Sequence, residues 1–272
     1  MEDNQPNSDF PVIISYSNNG YYDFAYNMIK SIKTTCSSHN IIHFYCLDQD
    51  IYNRLASLSI PGLVLEMVNT SLSNQFENYG TQEYNKITHT KLSVLRDALS
   101  KYSFIHFIDS DVVCVREPTL EHYNKYKEYD IVFQYDCGMY SPTKLHSPTL
   151  HHIWCCMGNT TMRNTLGTTA ILSKIEEFQH KYPNKNDQEC LQSYFEENGI
   201  KDIRNDPNAK LYTYEIDEYT NGFWLNNNIG NLDKTYFFHA NHVNGRDAKI
   251  KLLTKAGKWF LPNQNQYFQY TK

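Results

Sequence analysis

Asp109 and Asp111 stand one residue apart at the end of an apolar run, Phe104-Ile105-His106-Phe107-Ile108. On an extended backbone, residues i and i+2 point to the same side. The two carboxylates can therefore address one ligand at the carboxyl end of a strand, where open α/β sheets place their sites. Two carboxylates this close repel unless a cation or proton lies between them, and a divalent metal is the natural occupant. A second apolar run, Tyr236-Phe237-Phe238, ends in His239-Ala240-Asn241-His242. An imidazole beside two carboxylates favours a transition ion such as Mn2+ over Ca2+. His239 and His242 both stand in that polar group and could supply it. Lys249 and Lys251 follow on a predicted helix and suit the charge of a diphosphate. Asn186-Asp187-Gln188 opens another helix, where Asn or Asp is an ordinary N-cap. Asp187 and Gln188 could also face a transferred sugar.

Positioning these residues requires alternating strands and helices. Strands are predicted at 12–17, 41–47, 63–68, 104–108 and 131–135, then at 154–162, 211–214 and 236–239. Apolar residues at helical spacing predict helices at 21–36, 51–58, 87–102, 166–182, 187–198 and 247–255. The polar stretch 71–84 is expected to be a loop over the site, and 136–153 a second loop. Strand and helix alternation through the first half predicts an α/β fold with a single, mostly parallel mixed sheet flanked by helices. Residues 1–10 are expected to be disordered and 11–272 to form one domain. In that domain, 11–135 would be the nucleotide-binding half and 136–272 the sugar and acceptor half.

Composition narrows the partners. A net charge of −5, with the basic residues scattered, argues against a nucleic-acid partner. The 22 Tyr and 14 Phe would mostly fill the core, with some rings lining a sugar-binding groove. The seven cysteines show no CxxC spacing, so buried thiols in a reducing compartment are expected rather than a zinc site. No signal segment and no apolar run near the ~20 residues of a membrane helix is evident, which points to the cytoplasm. Sequons occur at Asn69 and Asn159, the second inside the expected site, where a glycan would not be tolerated.

The motifs resemble, in order, the nucleotide-diphospho-sugar transferase family (glycosyltransferase family seventy-seven and its relatives). They are Lys91-Leu92-Ser93-Val94-Leu95 through Phe107-Ile108-Asp109-Ser110-Asp111-Val112-Val113, then Asn159-Thr160 with Met162-Arg163-Asn164-Thr165, and Asp187-Gln188. Asn221-Gly222-Phe223, His239-Ala240-Asn241, Gly245, Lys249 and Trp259 continue the pattern, which runs from about residue 12 to 262. The resemblance implies a GT-A fold and a hexosyl- or pentosyltransferase. It also implies a UDP-sugar donor, Mn2+ (or Mg2+), and transfer that retains the anomeric configuration. Asp111 would be the principal metal ligand, Asp109 would touch metal and ribose, and His239 would complete the set. Tyr16, Ser17, Asn18 and Asp48 would hold the nucleoside. Lys91, Ser110, Gly245 and Lys249 would contact the nucleotide-sugar, and Asn159, Asp187 and Gln188 would surround the sugar, the last two as catalytic residues. Two positions depart from the family pattern: Thr161 where Gly is usual, and His242 where Trp is usual.

Retention requires no strong base, because the departing phosphate oxygen can take the acceptor's proton. Inversion would need a carboxylate base, for which Asp217 and Glu218 are the spare candidates. Two other classes fit parts of the pattern: an inactive relative that binds nucleotide or carbohydrate, and a metal-dependent phosphohydrolase. The latter would bring a second metal and further carboxylates.

Overall fold

The computed structural model describes residues 10–37, 41–68, 70–136, 153–228 and 232–261. The expected disorder before residue 10, the Asn69 sequon, Cys137 and most of the expected loop 136–153 lie outside the described residues.

Ten strands and eight α-helices are described. They run β1 (Val12–Ser17), α1 (Tyr22–Thr35), β2 (Ile42–Cys46), α2 (Gln49–Ala56), β3 (Leu63–Met67), α3 (Gln82–Lys101), β4 (Phe104–Ile108), β5 (Val112–Cys114), α4 (Leu120–Lys125), β6 (Ile131–Tyr135), β7 (Cys155–Arg163), α5 (Leu166–Lys181), α6 (Asp187–Glu197), β8 (Leu211–Thr213), β9 (Tyr219–Asn221), α7 (Gly222–Asn226), β10 (Phe237–His239) and α8 (Arg246–Lys255). The main sheet has seven strands in the order β3-β2-β1-β4-β7-β6-β8. Its pairings are parallel except at β7, which runs antiparallel to both β4 and β6. Every residue of β1, β2 and β4 is buried, the signature of strands covered on both faces.

One face of the sheet packs Leu95 of α3, Ile171 of α5 and Leu191 of α6 against Ile14, Ile105 and Phe107. The other packs Met28 and Ile29 of α1 and Ile51 of α2 against Ile13, Phe44 and Ile108. The α1 stripe of Phe24, Ala25, Met28, Ile29 and Ile32 is buried as its spacing predicts. Helix α3 begins five residues before the predicted 87, at Gln82, because Thr81 caps it by accepting from the Tyr84 amide. Its first turn is polar, so the apolar period starts late.

Beside the main sheet stands a second, three-stranded sheet in the order β5-β10-β9. The sequence reading had one sheet and lacked β5, β9, α4 and α7. Strands β5 and β9 have three residues each, too few to show a period, and Thr220 and Asn221 of β9 are polar although fully buried. Six of the seven cysteines lie in described residues; no disulfide joins them, and all but Cys36 are buried. Among the described residues no helix is long and apolar enough to cross a membrane.

Candidate active site

The chain leaves β4 in a tight turn, in which the Val112 amide donates to Asp109 O at 3.0 Å. Asp109 and Asp111 therefore converge through a turn rather than along the extended strand that the sequence spacing implied. Two further backbone bonds fix the turn: Asp109 N donates to Gly158 O at 2.7 Å, and Ala240 N donates to Asp111 O at 3.1 Å. The second bond ties the turn to the end of β10, where His239 Nε2 lies 3.2 Å from Asp111 Oδ1. Ligand atoms of Asp109, Asp111 and His239 all lie within 4.8 Å of one another. His242, the competing candidate, turns elsewhere: its Nε2 lies 2.6 Å from Asp136 Oδ1. Its backbone is left-handed (φ 56°), uncommon for a residue with a side chain.

Gly158 of β7 makes room for this cluster. In the β6–β7 ladder Phe133 faces Thr160, but Gln134 faces Cys156, so the strand is irregular between these pairs. That irregularity brings Gly158 against the site, where a Cβ would lie 2.6 Å from His239 Cε1 and nearer still to Asp109 Oδ2. Only a residue without a side chain fits.

Charge balances around the cluster. Lys91, 3% exposed, sits 2.6 Å from Asp187 Oδ2 and 3.3 Å from Asp109 Oδ1. Burial alone would lower its pKa, but the two carboxylates outweigh burial and raise it, so it stays charged. Burial also works to raise the Asp111 carboxyl, yet Lys249 and His239 hold it well below the usual carboxylate range. Lys249 donates both to Asp111 Oδ2 and to Ala240 O. Asp109 is raised, because burial in the cleft exceeds the pull of Lys91 and His239. Three carboxylates (Asp109, Asp111, Asp187) thus meet two ammonium groups, a balance that accommodates a cation.

These groups open on a cleft of about 410 Å³, within the range of small-molecule sites. Its wall includes Tyr16, Ser17, Asn18, Lys91, Asp109, Ser110, Asp111, Asp187, Gln188, His239, Gly245 and Lys249, all expected from the sequence. Two expected residues are not on it. Asp48 caps α2, accepting from Ile51 N at 3.0 Å and from Asn19 N at 2.7 Å. Asn159 is buried on the other side of β7 with its Oδ1 2.9 Å from His106 Nε2, because alternation along the strand turns it from Gly158. The spare bases Asp217 and Glu218 are off the wall as well. Asp217 has a half-exposed side chain, and Glu218 is held by Lys125 at 3.2 Å and Tyr126 at 2.7 Å.

The expected loop 71–84 does cover the site as far as Thr81. Asn18 Nδ2 donates to Ser73 O at 2.7 Å and to Gln75 O at 2.8 Å, and Tyr21 OH to Glu77 O at 2.6 Å. Tyr21 stacks on Phe76 at 4.4 Å, and both rings line the cleft with Tyr16, Tyr79, Tyr84 and Trp154. Sequence reasoning missed Gly158, Gln134 and Asp136. Asp136 accepts from Gln188 Nε2 at 2.5 Å while pairing with His242, and so pins the Gln188 amide, whose Oε1 accepts from Met157 N at 3.3 Å. No local signal marks these three, since each is defined by a partner distant in sequence.

The fold is shared with solved glycosyltransferases. The galactosyltransferase LgtC, solved with donor and acceptor sugar analogues, superposes with a TM-score of 0.59 at 11% identity, over 94% of this chain and 99% of LgtC. GlyE of Streptococcus pneumoniae TIGR4 gives 0.56 at 13% identity, over 95% of this chain and 63% of GlyE. The bifunctional glycosyltransferase WbbM gives 0.56 at 13% identity, over 97% of this chain and 52% of WbbM. No curated protein sequence matches the chain. The family description "nucleotide-diphospho-sugar transferase" matches residues 38–253, which does not single out family seventy-seven among its relatives. With that match across most of its length, the chain belongs to the nucleotide-diphospho-sugar transferase family and is a glycosyltransferase.

Proposed function

We propose that this enzyme transfers a glycosyl group from a UDP-sugar to an acceptor hydroxyl with retention of configuration, using Mn2+ or Mg2+. The observation that carries the reading is the convergence of Asp109, Asp111 and His239 within 4.8 Å on the wall of the cleft. The donor set fits such an ion: two carboxylates and one imidazole, with Gly158 leaving the space between them clear. When bound, the cation supplies Lewis-acid stabilisation to a leaving diphosphate. Lys249, anchored to Ala240 O, adds a fixed positive charge beside it. Tyr16, Ser17 and Asn18 at the end of β1, with the aromatic wall of Tyr21 and Phe76, would hold the nucleoside. Asp187 and Gln188, at the start of α6, would face the sugar. Gln188 is neutral and clamped between Asp136 and Met157, and suits an oxocarbenium face without itself being a base.

The expected bases for inversion, Asp217 and Glu218, lie away from the cleft wall, so inversion would have to draw its base from another wall carboxylate such as Asp187 or Asp136. A phosphohydrolase would bring further carboxylates for a second metal. Among the described residues, Asp109-Asp111-His239 is the one group of three or more that could hold an ion. A thermal-shift screen of UDP- and GDP-sugars with and without Mn2+ tests the donor class, since ligand binding raises apparent stability. Stabilisation that is specific to UDP-sugars and requires Mn2+ is expected. Asp111→Ala should abolish transfer, and full activity in that variant would remove the metal role. NMR of the product's anomeric proton decides retention.

A further inference from the structure

Gln134, at the irregular end of β6, is fully buried and lies off the cleft wall. Its Nε2 donates to Tyr219 O and Thr220 O, each at 3.1 Å, so both amide hydrogens are committed to the backbone of β9. The side-chain oxygen must then point the other way, towards β10, where it lies 3.2 Å from His239 Nδ1. An amide oxygen only accepts, so this contact is a hydrogen bond only if Nδ1 carries the proton. Nε2 is then left to the two carboxylates, with Asp111 Oδ1 3.2 Å away, and its lone pair would face them once a cation is shared among the three groups. Cys156 Sγ is also near Nδ1, at 3.4 Å. Were its thiol to donate there, the Gln134 oxygen would face a lone pair and be left buried without a donor, a costlier arrangement than a weak sulfur contact.

We infer that Gln134 is a positioning residue: by accepting from Nδ1–H it fixes the His239 tautomer and makes Nε2 the metal-binding nitrogen. The inference rests on the metal-site reading above and deepens it. Residues that hold the far nitrogen of a ligating histidine commonly contribute 10–100-fold to metal affinity. A neutral amide suits this position for a reason visible in the fold. A carboxylate could accept from Nδ1–H, but it would have no hydrogens for Tyr219 O and Thr220 O. Gln134 thus also ties β6 of the main sheet to β9 of the small sheet.

Two measurements test this. The first is read on the wild-type chain: long-range 1H–15N correlation spectra of 15N-histidine-labelled protein loaded with diamagnetic Zn2+ in place of Mn2+, with the resonance assigned by its loss in His239→Gln. Protonated Nδ1 and a metal-shifted Nε2 are expected; a protonated Nε2 in the loaded protein overturns the inference. The second is Mn2+ titration by EPR of wild type, Gln134→Leu, His239→Gln and the double variant. Gln134→Leu should bind Mn2+ about 10–100-fold more weakly. That loss should vanish when His239 is already replaced, a non-additivity that a merely structural role would not produce. Wild-type affinity in Gln134→Leu, or an additive double variant, removes the role of Gln134. Unchanged Mn2+ binding in Asp111→Ala and in His239→Gln would instead remove the metal-site reading beneath it.

Discussion

Gly158→Ala adds one methyl group at the place where the candidate metal site has least room. The new Cβ would lie 2.6 Å from His239 Cε1 and 2.9 Å from Asp109 Cγ. Carbon atoms rest about 3.5–4.0 Å apart, so ring and carboxylate must each retreat by about 1 Å. Moving the backbone instead gives little relief, because Gly158 O is bonded to Asp109 N at 2.7 Å and would carry the carboxylate with it. Metal–ligand distances hold to about ±0.2 Å, several times less than the forced movement. The variant should therefore lose Mn2+ affinity by about 100-fold, the upper end of what disturbed outer contacts cost. Turnover should fall by at least the roughly 10²-fold that follows a 1 Å misplacement.

Overpacking of this kind costs about 1–3 kcal/mol of stability, a fall of several degrees in a chain of this size. Mn2+ titration by EPR, donor turnover at saturating Mn2+ and thermal melts of the same preparation separate these effects. A variant that melts within that range yet binds Mn2+ as tightly as wild type would refute the claim that Gly158 is there to make room for the ligands.

Other perturbations read other parts of the site. Lys91→Met leaves Asp187 buried without its ammonium partner and should cost about 3–5 kcal/mol of stability by urea denaturation; a loss below 1 kcal/mol would mean the pair is not desolvated as the structure has it. Asp136→Ala should free the Gln188 amide and lower turnover towards 10²-fold while leaving Mn2+ affinity intact, since Asp136 is not one of the three candidate ligands. Burial works to raise the Glu218 carboxyl, but His122, Tyr126 and Lys125 bring it down from 4.5 to about 2 in the folded protein. A carboxyl held low stabilises the fold above its unfolded value, and that contribution is lost as the pH falls from about 4.5 towards 2. Glu218→Gln should thus be less stable at neutral pH and lose less on acidification, as read from urea midpoints; parallel acid limbs would contradict the assignment.

The make-up of the candidate site was legible where it depends on residue type at the end of an apolar run. Asp109, Asp111 and His239 each follow a strand whose composition announces it, and Asp187 and Gln188 follow the cap Asn186. The illegible parts depend on partners that no local pattern encodes. Asp48, which the resemblance would have hold the nucleoside, caps α2 instead of lining the cleft, its two oxygens accepting from Ile51 N and Asn19 N. Asn159 lies next to Gly158, and the irregularity of β7, invisible in its sequence, gives Gly158 to the site and Asn159 to His106. Strand β9 is polar because its Thr220 and Asn221 hydrogen-bond internally: Thr220 Oγ1 meets Thr235 Oγ1 at 2.6 Å, and Asn221 caps α7. A hydrophobic period cannot reveal such a strand.

The small sheet explains why the candidate ligands come from places so far apart in the chain. Strand β4 belongs to the main sheet and β5 to the small one, so the Asp109–Asp111 turn is the covalent crossing between the sheets. His239 reaches the crossing because β10 pairs antiparallel with β5 in a register that sets His239 opposite Val112. A slip of one residue would turn every side chain of β10 to its other face and carry the imidazole away from the carboxylates. Three features oppose that slip: the Ala240 N to Asp111 O bond, the parallel pairing of His239 with Asn221, and the Gln134 amide spanning β6, β9 and β10. The convergence of Asp109, Asp111 and His239 is in this sense a property of strand register, and contacts outside this trio maintain it as much as the trio does.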